Sequence, residues 1–172
     1  IKSFINGAYI SNHYKKNDTF FYIKINNNDA KIFYFENNSL KFEQSFKFGT
    51  DILLKDISKI TALNIDKIKL ILDKIDLFAN ISEDELIEKS FFKDDVYRKI
   101  RKKLIYEIAL ARIKEISEII FLKNINFLHY NKVSSNIFLE INDKLQFKCL
   151  KEIYKQNFSM SGNNINFINF SN

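Results

Sequence analysis

Three short runs of aromatic and β-branched residues, separated by short Asn-rich loops, constrain this chain more than any other feature. The runs are 20–25 (FFYIKI), 31–36 (KIFYFE) and 40–48 (LKFEQSFKF), and their composition favours β-strands. Asn37 and Asn38 between the last two runs predict a tight hairpin turn. The first part of the chain is therefore predicted to form strands.

A change of hydrophobic period directly after the third run predicts helices. Apolar residues at intervals of three and four indicate a helix from Gly49, and Asn64 is placed to cap a second one. Ser82 and Glu85 form a capping-box pattern that predicts a short third helix. The longest helical pattern covers about 96–122, with an apolar stripe along one face.

The remaining pattern alternates between strand and helix. It predicts a strand over 136–141, a turn at 142–143, a helix over 145–156 and a final strand over 164–170. The whole order, β-β-β-α, a helical insertion, then α-β-α-β, predicts one α/β lobe. The chain opens on Ile1 without a leading Met, so we expect it to be a piece of a longer protein.

Composition and motif searches exclude several function classes. A single cysteine, Cys149, excludes a disulfide framework and a Cys-based zinc site, and it is expected to act as a small buried hydrophobe. His13 and His129 have no second ligand at metal-binding spacing, so neither is expected to be catalytic. No Walker loop or serine-hydrolase motif occurs, and a cytoplasmic location is expected.

The positive charge is concentrated in one part of the chain. Of the 27 Lys and Arg residues 24 are Lys, a bias typical of A/T-rich genomes, so the net charge of +6 is weak evidence for nucleic-acid binding. Residues 87–172 carry 15 Lys and Arg against 9 Asp and Glu, which is the whole excess, and 88–103 alone has a net charge of +4. This cluster predicts either a dock for an acidic partner or a solvated helix face.

One constellation of loops and helices carries the strongest functional signal. A polar loop, 26–30 (NNNDA), separates the first two runs, and 49–51 (GTD) opens a helix that contains 55–57 (KDI). Much later, 111–116 reads ARIKEI. This order resembles the actin-like ATPase superfamily and, within it, the bacterial cell-division family FtsA. That family has a D-I-G-G-G-T-T loop, a V-G-G-D-x-I-T-x-D-I segment and an A-R-x-x-E-I helix at the corresponding places, and the resemblance covers most of 20–157.

The resemblance implies an α/β, actin-like (ribonuclease H-like) lobe with a mixed sheet, flanking helices and a helical insertion. It assigns 1–64 and 100–172 to subdomain 2A and 65–99 to an inserted region like subdomain 2B. It also implies nucleotide-binding positions, which are Asn26, Asn27, Asn28, Asp29, Gly49 and Asp51.

Departures from the family pattern predict that this nucleotide site is degenerate. The loop glycines, whose backbone N–H groups close around phosphates, correspond to 26–28, and a second glycine set corresponds to 141–143. Asn can adopt left-handed conformations, so part of the loop geometry is expected to survive. The family's Asp corresponds to Lys24, which cannot help to arrange a metal ion. ATP binding is therefore doubtful and no ATPase activity is expected, while a simple turn between two strands remains the alternative for 26–28.

The resemblance also implies partners. FtsA-like proteins receive the acidic tail of the tubulin-like FtsZ, associate with other actin-like protomers, and work at the inner face of the membrane at the division site. On this chain the residues expected to bind the tail are Arg98, Arg101 and Lys102, with Phe91 and Phe92 as an apolar pocket.

Membrane attachment would come from segments outside this chain. A pilus-assembly relative of FtsA is the nearest alternative. A nucleic-acid-binding module that uses the same basic cluster with Tyr97 and Tyr106 is another, although no nucleic-acid partner is expected.

Overall fold

The protein is an α/β structure with one mixed sheet. The computed structural model describes residues 2–13, 18–75, 82, 84–92, 96–130, 136–159 and 164–168. The helices are α1 (Lys2–His13), α2 (Asp51–Thr61), α3 (Ile65–Lys74), α4 (Lys102–Ser117), α5 (Ile125–Tyr130) and α6 (Lys144–Ser159). The strands are β1 (Phe20–Ile25), β2 (Ala30–Glu36), β3 (Ser39–Phe46), β4 (Asn136–Ile141) and β5 (Asn164–Phe167). A 3-10 turn covers Lys89–Phe92, and a π-helical turn, Glu118–Leu122, continues α4.

The five strands lie in the order β3-β2-β1-β4-β5. β1, β2 and β3 pair antiparallel, whereas β4 is parallel to β1 and β5 is parallel to β4. Parallel neighbours need long connections, and here the helices between β3 and β4 supply the first of them. The central position of β1 explains why its sequence is apolar throughout, apart from Lys24.

Both faces of the sheet are covered. One face carries Phe21, Ile23, Ile32 and Leu139 into a large core that is shared with residues of α2, α3, α4 and α6. The other face forms a smaller aromatic core under α1, with members Ile10, Phe20, Tyr22, Phe33, Phe35, Phe138 and Ile168. α1 approaches so closely that a Cβ on Gly7 would lie 2.4 Å from Cζ of Phe35. The alternating direction of strand side chains thus divides the aromatic residues between two cores.

Most predicted elements are confirmed. β1 has the predicted bounds, and the hairpin between β2 and β3 turns at Asn37 and Asn38, whose φ angles are 50° and 60°. Positive φ at both central residues is the geometry that matches the twist of paired strands. Asn64 caps α3, because its Oδ1 accepts a hydrogen bond of 2.8 Å from the Lys67 N–H. Of the predicted final strand, 164–167 is a strand and 169–170 lie outside the described residues.

Two helix predictions are wrong for the same reason. Leu86 does not enter a helix after the capping-box pattern but forms an antiparallel bridge with Arg101. The Ile87 N–H donates to the Ile100 carbonyl at 2.8 Å, so 96–101 is not helical and α4 begins only at Lys102. Pairing between segments distant in sequence overrides the local helical period. Asp94 and Asp95, whose charges favoured a helix start, lie outside the described residues.

The region predicted as an insertion shares the main core. Ile68, Ile71 and Leu72 of α3, together with Ile87 and Phe92, pack in the same cluster as α2 and α4. The boundary 65–99 therefore stays a prediction. Sequence analysis also missed α1 and α5, and none of the described helices is long and apolar enough to cross a membrane.

Candidate nucleotide site

Three segments meet at one edge of the sheet. β1 and β4 are parallel neighbours, so their carboxyl ends lie side by side, which is where α/β sheets commonly bind ligands. The loop 26–29 follows β1, residues 142–143 follow β4, and 49–51 enter α2 beside them. The Asn142 N–H donates to the Ile25 carbonyl at 2.9 Å, which joins the first two segments. The six predicted nucleotide positions thus lie together on two of the three segments.

Backbone hydrogen bonds attach the start of α2 to the loop. The N–H groups of Thr50 and Asp51 donate to the carbonyls of Asn26 and Asn27, each at 2.9 Å. A Cβ on Gly49 would lie 2.2 Å from the Asn26 carbonyl oxygen, a distance that no side chain tolerates. Gly49 is therefore required for this contact, and two N–H groups near the start of the helix bind loop carbonyls.

The loop itself is held by Asn26 and Asp29. The Asn26 N–H donates to the Asp29 carbonyl at 2.8 Å, and Nδ2 of Asn26 lies 3.1 and 3.2 Å from the two carboxylate oxygens of Asp29. Within the described chain, positive φ outside glycine occurs at Asn37, Asn38 and Ala62, but not at 26–28. The left-handed conformations that Asn can adopt are therefore not used at 26–28, and side-chain hydrogen bonds hold the loop instead.

Polar groups at the start of α6 complete the edge. Asp143 accepts a hydrogen bond of 2.9 Å from the Gln146 N–H, and its other oxygen lies 3.4 Å from Oγ1 of Thr50. Gln146 is fully buried, and its Nε2 donates to the Thr50 carbonyl at 2.9 Å. The side-chain amides of Asn142 and Asn26 are 2.6 Å apart. These contacts bind the α6 start to both other segments.

Lys24 is paired with a buried carboxylate on the neighbouring strand. Its Nζ lies 3.1 and 3.2 Å from the two carboxylate oxygens of Glu140, which is only 3% exposed. The hydroxyl of Tyr22 donates to the same carboxylate, and Asn6 of α1 donates to that hydroxyl at 3.0 Å. Burial, followed by the hydrogen bond to Glu140, raises the pKa of Tyr22 well above its usual range. The position where the resembled family has Asp therefore carries an internally neutralised cation.

Negative charge prevails around this edge. Asp29, Asp51 and Asp143 lie on the three segments, while Lys24 is neutralised by Glu140. Within the described residues, no group of three or more His, Cys, Asp or Glu side chains is placed to hold a metal ion. A magnesium-bound triphosphate would meet these carboxylates, and the edge offers no carboxylate grouping for the metal.

The residues of the basic cluster lie at the opposite end of α2. Arg98 donates from Nη1 to the Ala62 carbonyl at 2.8 Å and lies 3.4 Å from the Thr61 carbonyl. Lys102 forms an ion pair with Glu85 at 2.5 Å. Arg101 is exposed and has no ion pair with any residue that the structure describes. The three predicted partner residues are neighbours, but Arg98 and Lys102 already bond other groups of the protein, whereas Arg101 is exposed.

The predicted apolar pocket beside this cluster is mostly closed. Phe92 is 4% exposed, packs edge-on against Tyr97 with ring centroids 5.2 Å apart, and carries Nζ of Lys67 5.4 Å above its ring. Phe91 is half-buried against the same core. Val96, by contrast, is 85% exposed.

Two segments that carried the family resemblance come together in space. Arg112 of the ARIKEI helix pairs with Asp56 of α2 and with Glu115 one turn further along α4. The hydrogen bond to Asp56 raises the pKa of Arg112 above its usual value. These residues line an open groove of about 650 Å³ between α2 and α4. Pairing across 56 positions of sequence holds the two helices together.

Comparison with known proteins gives a fold but no family. No protein-family model matches the sequence, and no curated protein matches it. MreB5 of Spiroplasma citri bound to AMPPNP is similar in structure, with a TM-score of 0.64, 14% identity and coverage of 96% of this chain and 52% of that one. A non-polymerisable quadruple mutant of pCBH ParM has a TM-score of 0.58, 15% identity, and coverage of 95% and 48%.

The fold is that of the actin-like ATPases. The PilM–PilN type IV pilus biogenesis complex also matches, with a TM-score of 0.55, 10% identity, and coverage of 98% of this chain and 41% of that one. The chain thus spans about half the length of these proteins or less. At such low identity the similarity shows the fold alone, and membership of the FtsA family remains a prediction.

Sequence reasoning did not single out Tyr22, Glu140 or Gln146. One signal was available, because Lys24 and Glu140 are single charges within otherwise apolar strands. A charged residue in a buried strand needs a partner, so two such strands predict a pair if they are neighbours. Only the sheet order made them neighbours.

Proposed function

We propose that this actin-like lobe belongs to an FtsA-type protein that recruits FtsZ to the bacterial division site by binding its acidic tail. The proposal draws on the actin-like fold and on the order of motifs along the chain. The observation that carries it is the exposed basic segment before α4. In this segment Lys99 and Arg101 are exposed next to Val96, which is 85% exposed.

The chemistry of this segment fits an acidic peptide with some apolar residues. Arg101 offers a guanidinium that can form a two-pronged hydrogen bond with a carboxylate. Val96 offers apolar area beside it, and the centre of a typical interface is apolar with a charged rim. Arg98 supports this site indirectly, because its Nη1 donates to the Ala62 carbonyl and so holds the segment against the end of α2.

Nucleotide hydrolysis is not part of this proposed role. Lys24 stands where the resembled family places an Asp, and no glycine stands in the loop 26–29. The neighbour MreB5 carries AMPPNP, so a nucleotide is plausible in this fold, and a retained but weak site is the competing view. We further propose that the complete protein is cytoplasmic, associates with other actin-like protomers, and meets the membrane through other segments.

The test is a binding measurement with the full-length protein and a fluorescent FtsZ tail peptide. Lys99→Glu combined with Arg101→Glu should weaken binding at least tenfold, because it replaces two attractive charges with repulsive ones. Lys144→Glu combined with Lys155→Glu, which changes two exposed lysines of α6, is the matched control and should change affinity less than twofold. Equal affinity of the first variant and the wild-type protein would remove this segment as the binding site.

A pilus-assembly role is the second candidate. The PilM–PilN complex covers 98% of this chain at a TM-score of 0.55, which is the observation in its favour. The same assay with a PilN-type peptide separates the two roles. Binding of that peptide in preference to the FtsZ tail would replace our proposal.

A further inference from the structure

A buried polar network connects α1 to the edge of the sheet. It begins at Asn6 on α1, passes through the Tyr22 hydroxyl to the Glu140 carboxylate, and ends at the Lys24 ammonium. Lys24 and Glu140 are direct neighbours in the register of β1 and β4. Three elements, α1, β1 and β4, are thus joined through one carboxylate that is 3% exposed.

The network holds its side chains in place because the buried Glu140 carboxylate would be destabilised by the loss of either hydrogen-bond partner. A buried carboxylate without partners is strongly unfavourable, so Glu140 requires both the ammonium and the phenol. Lys24 is 26% exposed at its side chain, so it lies at the rim while Glu140 lies beneath. The pair places a neutral unit at the carboxyl ends of the central strands.

This arrangement does not fit a magnesium-bound nucleotide. Because Lys24 and Glu140 are paired with each other, the pair offers neither an uncompensated carboxylate to a divalent cation nor an uncompensated ammonium to phosphate. Asp29, Asp51 and Asp143 add unfavourable charge for a triphosphate. The N–H groups of Thr50 and Asp51 already bind loop carbonyls at 2.9 Å.

We propose that the Lys24–Glu140 pair is a built-in substitute for bound metal and nucleotide, which holds α1, β1 and β4 in one arrangement. The lobe then keeps its partner-binding form without ATP. The statement about partner binding rests on the function proposed above, whereas the statement about the Lys24–Glu140 pair does not. Lys24 and Glu140 are positioning residues, since they act on the elements and not on a reacting group.

The first experiment measures thermal unfolding of the full-length protein with magnesium and ATP, with ATP and EDTA, and with magnesium alone. We expect shifts of less than about 1 °C in all three, because a ligand that does not bind the native state cannot stabilise it. A saturable rise of several degrees with magnesium and ATP would overturn the inference. This result is independent of FtsZ.

The second experiment tests the connection to α1 by hydrogen exchange. Glu140→Gln should raise the exchange of amides in α1 at least tenfold, whereas Glu152→Gln, an exposed control on α6, should leave it unchanged. Lys24→Gln, which keeps a hydrogen-bond donor for the Glu140 carboxylate, is the second variant if the first does not fold, and it should act in the same direction. Unchanged exchange in α1 in a folded variant would show that the pair does not hold the elements together.

The third experiment compares tail-peptide affinity in EDTA and in magnesium with ATP. Affinities within twofold of one another support the inference. A tenfold dependence on nucleotide would overturn it while leaving the recruitment role intact. Absence of peptide binding in every condition would instead overturn the recruitment role, and the first two experiments would still decide the role of the pair.

Discussion

The two ends of α2 are built by different means. Its start binds the carbonyls of Asn26 and Asn27 through backbone N–H groups, with Gly49 buried in the contact. Its other end lies about 16 Å away, which is the length of an 11-residue helix. There the exposed Arg98 donates a hydrogen bond to the Ala62 carbonyl. A backbone contact requires one residue type, whereas a long side chain can be exchanged at moderate cost. The loop end should therefore be rigid and intolerant of substitution, and the basic end adaptable.

The largest expected effect concerns Gly49. Gly49→Ala should lower the free energy of unfolding by about 3 kcal/mol, because the new Cβ would lie 2.2 Å from a backbone oxygen that cannot rotate away. Urea denaturation followed by circular dichroism measures this. A loss of less than about 1 kcal/mol would show that the backbone around Gly49 can shift. The start of α2 would then not be more rigid than its end.

The next effect is a loss of stability at alkaline pH that depends on Tyr22 of β1. Folding raises the pKa of Tyr22 through burial and its bond to Glu140, so the folded protein keeps this phenol protonated. Its contribution to stability is complete below about pH 10 and declines as pH rises further, by up to about 1.4 kcal/mol per pH unit. Denaturation between pH 9 and 11 should show a shallower decline for Tyr22→Phe than for the wild-type protein. Identical slopes would contradict the buried position of the phenol.

A smaller effect is expected at the basic end. Arg98→Ala should cost about 1 kcal/mol, since an exposed charged donor to the last carbonyls of a helix contributes modestly. Arg98→Lys keeps the positive charge near the helix end and should recover about half of that loss. A cost as large as that of Gly49→Ala would mean that this end is as rigid as the other.

The smallest effect has the opposite sign. Ala62, directly after α2, has a φ of 54°, a conformation that strains any residue with a Cβ. Ala62→Gly should therefore raise the free energy of unfolding by about 0.5 to 1 kcal/mol, because glycine adopts this conformation without strain. Leu63→Gly, next to it but buried, should be destabilising. A destabilised Ala62→Gly would show that strain at the basic end is negligible.

Local patterns in the sequence predicted the strands well but failed where distant segments pair. β1 has its predicted bounds, and Asn37-Asn38 forms the predicted turn, because both follow from local preferences. Two segments were predicted helical from local signals, the one after Ser82 from a capping-box pattern and the one from about Val96 from hydrophobic period. They pair with each other at Leu86 and Arg101, and no local rule reports such a partner.

The candidate site shows the same limit. Motif order brought 26–29 and 49–51 to attention, and both lie at the same edge of the sheet. Their assignment to nucleotide binding stays a prediction, as does the assignment of Arg98, Arg101 and Lys102 to a partner. The bonds that distinguish Arg98 from Arg101 depend on where the end of α2 lies, which the sequence does not indicate.

The sequence by itself determined the five strands and the helices α2, α3 and α6, the concentration of positive charge in 88–103, and the absence of glycine from the loop 26–29. These are properties of neighbouring residues. Tertiary structure alone decided that Lys24 faces Glu140, that Gly49 touches Asn26, and that Arg98 reaches Ala62. Each of these contacts joins residues more than 20 positions apart, and the order of strands in the sheet and the packing of helices on it select such contacts.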